Sequence, residues 1–432
     1  MQRFIPSLLV AAMAFSSMEA MAAADLLLFN GKVYTAEPGQ PLAQAVAVAD
    51  GKILKVGSNA EIKALAGADT QLIDLAGKVL MPGMIDTHSH PVVAAYDSMG
   101  SNLYDEVKPL AELEQWIIAQ DQAGAARVGD IIVISGASSG YWEQSAGLGK
   151  IFNQGRWAEQ PVVLNGIDGH TGWANNAMLK RVKIDAALVK SLPEKERNYI
   201  GHAADFTPSG YLAENGWDRV RSQLPAPTEA VMLNAAREAV KVNNQVGVTA
   251  WMDAAANAGS GESLFELRPT EQDVGVLPLY RKLAESGELS AHVAALLITH
   301  PQSQPADLDV LGKVMKQFEG VPNLTFPGIK IFADGVMEFP GQTAAVIDPF
   351  KNSLKRGELL IDPKSFGQLA VAAEQRGWIM HVHAVGDRAV REALNGFEYA
   401  RSLKPAVVPH SISHLQLVNP KEFARFKQLG VI

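Results

Sequence analysis

His88 and His90 stand one residue apart at the end of an apolar run, Met81-Pro82-Gly83-Met84-Ile85-Asp86-Thr87-His88-Ser89-His90. Side chains at i and i+2 of a β-strand project to one face, so the two imidazoles could share one metal ion. A single His-x-His is as readily two hydrogen-bonded histidines in a turn, and the rest of the chain has to decide. The spacing recurs in His381-Val382-His383, which closes the run Trp378-Ile379-Met380 ahead of Gly386-Asp387-Arg388. His414 follows Ser411-Ile412-Ser413 at the end of a further run. Lys330 lies inside Pro327-Gly328-Ile329-Lys330-Ile331-Phe332-Ala333. A lysine in a buried strand must be paired, neutralised or modified, because an unpaired buried ammonium is costly. A salt bridge to Asp334 is its ordinary alternative; beside four histidines at strand ends, a metal role is the stronger reading.

The elements that carry these residues fall into two textures. From Asp25 to about Leu80 the chain reads as short strands and tight turns, half of a β-sandwich. Leu26 to Phe29 leads into Asn30-Gly31, and Val46 to Ala49 into Asp50-Gly51; both dipeptides predict hairpins. After His90, apolar runs alternate with helical stretches, the mark of parallel α/β architecture. Strands are predicted at Val248 to Asp253, His292 to Ile298, Gly328 to Ala333, Trp378 to Ala384 and Pro409 to His414. Helices are predicted at Glu229 to Val246 and Ser365 to Arg376. A long insert, about 91 to 245, holds two further apolar runs, Ile131 to Ile134 and Val162 to Leu164. The histidines and Lys330 thus fall toward the C-terminal ends of strands, where α/β barrels place their active sites.

Composition narrows the chemistry. The net charge is −8 and no run of Lys or Arg stands out, which argues against a nucleic-acid partner. With no cysteine in 432 residues, disulfides, thiolate ligands and a cysteine nucleophile are excluded. A metal centre must then use imidazole, carboxylate or a modified amine, and zinc is the default ion. Residues 1–24 read as an export signal: Arg3, an apolar stretch from Ile5 to Phe15, and the small-x-small site Ala20-Met21-Ala22. The expected destination is periplasmic or secreted, with no membrane attachment after cleavage, since no later segment has the roughly 20 apolar residues of a spanning helix.

Together these segments resemble the amidohydrolase superfamily, in the branch similar to N-substituted formamide deformylases and related metal-dependent hydrolases. The resemblance runs from Asp25 to Ile432. It rests on Pro82 to His90, Ile329-Lys330-Ile331-Phe332-Ala333-Asp334-Gly335, His383-Ala384-Val385-Gly386-Asp387-Arg388-Ala389 and the segment ending in His414. It implies an α/β fold: a TIM-like (β/α)8 metal-dependent hydrolase barrel over residues 81–432, with residues 25–80 forming the N-terminal part of a composite β-sandwich. His88 and His90 would hold a first divalent ion, and His383 and His414 a second. Lys330, carboxylated by carbon dioxide, would bridge them. His381 becomes a neighbour contacting substrate or the ligands. His170, in Asp168-Gly169-His170-Thr171-Gly172-Trp173-Ala174-Asn175, and Glu214, in Pro208-Ser209-Gly210-Tyr211-Leu212-Ala213-Glu214, are expected to shape the substrate pocket. Tyr141 and Trp142 read as packing, and His202, His292, His300 and His410 as structural.

The implied activity is hydrolysis of a non-peptide, amide-like C–N bond in a small molecule by metal-activated water, using one or two ions. The chain departs from the family pattern after strand six. No residue matches the aspartate that strand eight normally supplies as metal ligand and general base, so the expectation is a C-terminally truncated barrel of about six strands with impaired hydrolysis. Two alternatives stand beside it: a mononuclear deaminase-type member that does not need Lys330, and a non-catalytic exported fragment. Substrate identity and homo-oligomerisation are left open.

Overall fold

The computed structural model describes residues 23–259, 267–403 and 408–432. The expected export signal lies outside the described residues as far as residue 22. Two compact units emerge, one ending at Gly83 and the other spanning Met84–Ile432.

The first unit contains β1 (Ala24–Phe29), β2 (Lys32–Tyr34), β3 (Leu42–Ala43), β4 (Ala45–Ala49), β5 (Lys52–Gly57), β6 (Ala66–Asp74) and β7 (Val79–Leu80). They form two sheets, ordered β5-β4-β1-β6 and β3-β2-β7. Leu27, Ala45, Ala47 and Ile62 make its buried core. Ile62 comes from the short helix Asn59–Lys63, whose start is fixed by a Ser58/Glu61 capping box. Asp50-Gly51 makes the expected hairpin between β4 and β5, with φ of 50° and 68° as a type I′ turn requires. Asn30-Gly31 does not. Only Asn30 takes a positive φ, and the chain leaves the sheet of β1 for the sheet of β2 instead of folding back.

In the second unit, β8 (Met84–Ser89) opens a barrel sheet that resumes after a long insert. The insert carries β9 (Arg127–Val128), β10 (Ile131–Ala137), β11 (Val162–Gly166), β12 (Thr171–Ala174), β13 (Ile200–His202) and β14 (Pro208–Ala213). Then follow β15 (Val248–Asp253), β16 (His292–Ile298), β17 (Leu324–Phe332), β18 (Ile379–Ala384) and β19 (Ser411–His414). Strands β8 and β15 to β19 pair in chain order, every pair parallel, as in a (β/α) barrel. Laid flat, β8 and β18 would be four strand spacings apart, about 19 Å. His88 Nδ1 nevertheless lies 2.6 Å from His381 Nε2. The sheet therefore curls into a nearly closed, partial TIM-like barrel.

Strand β17 begins earlier than the sequence pattern predicts, at Leu324, and runs through Pro327. The proline is tolerated because the register with β16 slips between Ala294 and Leu296, an irregularity where no ladder N–H is needed. Two of the outer helices start at side-chain caps. Thr228 accepts from Val231 N–H ahead of Glu229–Gln245, and Asp362 from Ser365 N–H ahead of Pro363–Gln375. Proline in the first turn of the latter sets its start two residues before the predicted Ser365.

The insert folds its strands into a second sheet, ordered β13-β14-β12-β11-β10-β9, buried on both faces. Period-2 alternation divides the side chains. Val162, Leu164, Tyr211 and Ala213 join one core with Tyr141, Trp142, Trp157 and Trp173. Val163 and Leu212 join the other, with Ile131 and Trp217. Tyr141 and Trp142 are thus packing residues.

Behind β18 and β19, His410 is fully buried. Its Nδ1 accepts from Met380 N–H at 2.9 Å, its Nε2 donates to Glu374 at 2.9 Å, and its ring stacks on Phe397. Arg401 pairs with the same carboxylate. Burial, reinforced by Arg401, pushes the His410 pKa down to about 3 from its ordinary 6.5. The folded ring therefore stays neutral at pH values where the unfolded one is protonated. Its stabilising contribution is complete above pH 6.5 and drains as pH falls toward 3, by up to about 1.4 kcal/mol per pH unit. His410→Gln keeps one acceptor and one donor but no titration. Urea unfolding at pH 7 and pH 5 is expected to show a smaller acid loss for this variant than for the wild type; equal losses would place the responsible proton elsewhere.

Candidate active site

The curl of the barrel sheet gathers five imidazoles and one amine at its C-terminal end. His88 comes from β8, and His90 follows it at the start of the helix Pro91–Met99. His381 and His383 share one face of β18, and His414 ends β19 at a φ of 75°, a strained value for a non-glycine residue. Ring centroids are 4.9 Å apart for His88–His381 and His88–His414, 5.5 Å for His88–His90 and 4.4 Å for His383–His414. Strand register sets Lys330 level with His381, and Phe332 level with His383.

Lys330 is 1% exposed, and among the described residues no carboxylate pairs with it. Its Nζ lies 3.5 Å from Ser413 Oγ and 5.1 Å above the Phe332 ring. Burial lowers its pKa to about 7, so near neutrality much of the amine is uncharged and available for modification. The ordinary alternative, a salt bridge to Asp334, does not form. Asp334 is instead fully buried and accepts from the N–H groups of Ala345, Val385 and Gly386 at 2.8–2.9 Å. It ties the loops after β17 and β18 together, and burial raises its own pKa to about 7.

The imidazoles are kept neutral. Burial, then the nearby Lys330, lowers His88 to about 2, and His90 and His381 to about 3. His414 falls to about 4 for the same reasons, and His383 lies well below 6.5 through burial and the neighbouring His170. Neutral imidazoles offer lone pairs to a metal. Among the described residues, however, no three His, Asp or Glu side chains are arranged to hold an ion. His88 and His381 touch nitrogen to nitrogen, His381 Nδ1 meets Ser411 Oγ at 2.6 Å, and His383 Nε2 meets the Gly335 carbonyl at 3.0 Å. The donor chemistry, five neutral imidazoles around a buried and partly neutral amine, fits a divalent cation. Aiming the donors at one point needs ring rotations.

The insert contributes its own wall. Asp168 accepts from the N–H groups of His170 and Thr171, both at 2.9 Å, fixing the turn into β12. His170 Nδ1 then meets Glu214 Oε2 at 3.1 Å, and Thr343 donates to Glu214 Oε1 at 2.6 Å. Glu214 is 5% exposed at a φ of 43°. Burial opposes protonation of His170, but the Glu214 and Asp168 carboxylates outweigh it and raise the His170 pKa. The His170 ring lies 5.3 Å from that of His383. Gly335 is required here: a Cβ would stand 2.1 Å from Thr343 Oγ1 and 2.5 Å from Glu214 Oε1. A cavity of about 280 Å³ opens beside this wall, lined in part by Tyr199, Glu214, Asn215, His300 and Thr343.

All eight residues singled out in the sequence thus fall in one neighbourhood, six at the barrel end and two in the insert wall. Asp253 was missed. It is 3% exposed at the end of β15 and faces His90, with Oδ1 3.9 Å from Nδ1. Its position as the last residue of a predicted strand was the available signal.

Comparisons with known proteins agree with this architecture. The sequence profile of the amidohydrolase family matches residues 71–432. The exoenzymes regulatory protein AepA of Pectobacterium carotovorum subsp. carotovorum is 25% identical over 92% of this chain and 81% of its own length. The N-substituted formamide deformylase of Arthrobacter pascens is 25% identical over 94% of this chain and 72% of its own. An uncharacterized metal-dependent hydrolase from Pyrococcus horikoshii OT3 superposes with a TM-score of 0.64 at 22% identity. That alignment covers 94% of this chain and 73% of the other, and shares the fold. With its profile match running through the barrel strands and their histidines, the chain belongs to the amidohydrolase family.

Proposed function

We propose that this chain is a metal-dependent hydrolase that cleaves a non-peptide, amide-like C–N bond in a small molecule, with His88, His90, Lys330, His383 and His414 holding one or two zinc ions. The observation that carries the reading is the buried Lys330, without a carboxylate partner among the described residues and ringed by five imidazoles. Its burial is costly as an ammonium. Its depressed pKa favours reaction with carbon dioxide, which would turn a cation into an anionic bridge. The name of the Arthrobacter relative, an N-substituted formamide deformylase, supports amides of small amines as the substrate class. The pattern of the first 24 residues supports export to the periplasm or beyond.

A divalent ion held there would supply an activated water and a Lewis acid for the carbonyl. The chain's own residues do the rest. His381 braces His88 through its Nε2 while Ser411 fixes its far nitrogen. The Asp334 clamp holds the backbone on which His383 and Gly335 sit. His170, made more basic by Glu214, can hold a proton on the substrate side of the site and give it to a leaving amine. The walls of the insert and the loop carrying Thr343 keep this pair out of bulk water.

Two measurements test the reading. Metal analysis of the purified chain loaded with zinc should find one to two equivalents, and Lys330→Ala should lower that number; no bound metal in the wild type would overturn the proposal. Assayed on a panel of N-formyl and N-acyl amines, His170→Ala should lose about 100-fold in kcat/KM with metal content unchanged. Undiminished activity in that variant would remove His170 from the mechanism.

A further inference from the structure

A buried chain of polar groups stands behind His90 and no part of the mechanism above uses it. Trp251 Nε1 donates to Tyr280 Oη at 3.3 Å, and Tyr280 Oη donates to Asp253 Oδ2 at 2.7 Å. All three side chains are at least 97% buried, Tyr280 completely. Asp253 Oδ1 accepts from Ala255 N–H at 3.2 Å and faces His90 Nδ1 at 3.9 Å. Parallel pairing fixes this approach: Asp253 is in register with Ser89, and Ala254 N–H donates to the Ser89 carbonyl at 3.0 Å. The carboxylate therefore cannot swing away, and one of its oxygens is held by Tyr280 from behind.

A carboxylate this deeply buried is expensive unless something cationic or a donor N–H faces it. Among the described residues the one basic side chain within 4.0 Å of Asp253 is the neutral ring of His90. The 3.9 Å separation is too long for a hydrogen bond, and a ring shift of about 1 Å closes it to one. In that position Nδ1–H of His90 faces Asp253, which leaves the lone pair of Nε2 as the ring's free donor. Carboxylate–histidine pairs of this kind fix the tautomer and raise the basicity of a ligating nitrogen.

We propose that Asp253 is a positioning residue for His90, locked by Tyr280 and Trp251, that fixes the ring so that Nε2 is the metal-binding nitrogen. The inference rests on the metal-centre reading given under Proposed function and adds a residue from the second barrel strand to it.

Zinc affinity of the purified full-length chain, measured by competition with a chromogenic chelator, tests this directly. Asp253→Asn keeps the volume and the hydrogen bond from Tyr280 but removes the charge. It should weaken zinc binding by about 10–100-fold with the far-UV circular dichroism of the wild type. In a His90→Ala background the same substitution should produce no further loss, because its effect passes through that ring. Tyr280→Phe, which retains the packing, should weaken zinc in the same direction and by less, and also only when His90 is present. Wild-type affinity in Asp253→Asn, or an equal loss with and without His90, would overturn the assignment and leave Asp253 a structural residue. Should Asp253→Asn fail to fold, the Tyr280→Phe cycle decides by the same criterion. A wild-type chain that takes up no zinc would overturn the metal centre itself, and this inference with it.

Discussion

The curl of six parallel strands is the constraint on which the rest of this molecule depends. Each strand alone carries at most two residues of chemical interest. What makes them a site is that β8 and the pair β18 and β19, at opposite ends of the strand order, bend until their side chains touch. Parallel register then sets the depth of each group: Lys330 level with His381, Ala384 level with His414, Asp253 level with Ser89. A slip of one residue in any pair would turn the chemistry outward, since alternate residues face opposite sides.

Bringing these groups together has an electrostatic consequence. Five imidazoles crowd around a buried amine, and among the described residues no carboxylate neutralises it. Desolvation, joined at the rings by repulsion from Lys330, holds the imidazoles neutral, and desolvation draws Lys330 down to about 7. The acidic groups nearby are spent elsewhere: Asp334 on three backbone N–H groups, Glu214 on His170 and Thr343, Asp253 on Tyr280. The result is a set of neutral donors, which is the state a cation requires of them. His170 is the exception. Its two carboxylate neighbours push it the other way, so imidazole rings about 5.3 Å apart are driven in opposite directions. Separating titratable groups by environment is how acid and base roles are divided in one pocket.

The insert supplies this contrast. Its sheet is buried on both faces by aromatic packing, a rigid base for a turn that must place His170 and Glu214 accurately. The Asp168 hydrogen bonds, the left-handed Glu214 and the close approach at Gly335 are local costs that this packing sustains. Two contacts, Thr343 to Glu214 and Tyr199 to Glu358, tie the loop after β17 to the insert.

Much of this was legible in the amino-acid sequence, because it depends on short-range periodicity. The paired histidines, the lysine in an apolar run and the alternation of strands and helices are local patterns, and β15 and β16 fall on their predicted bounds. Local pattern misled where partners are distant. Asn30-Gly31 looks like a hairpin, yet its strand pairs in another sheet, and Pro327 hid four residues of β17 whose irregular register tolerates it. Lys330 and Asp334 are close enough in sequence to pair, but backbone N–H groups from the aspartate's own loop and from the loop after β18 claim the carboxylate. The sequence by itself determined which residue types sit at strand ends, since i, i+2 spacing and apolar flanks are written along one strand. Only the tertiary structure decided that His88 meets His381, that Lys330 has no carboxylate partner among the described residues, and that Asp253 stands behind His90. Those depend on how far a sheet curls and on what each polar group finds when it arrives, and such long-range distances are encoded in no local stretch of chain.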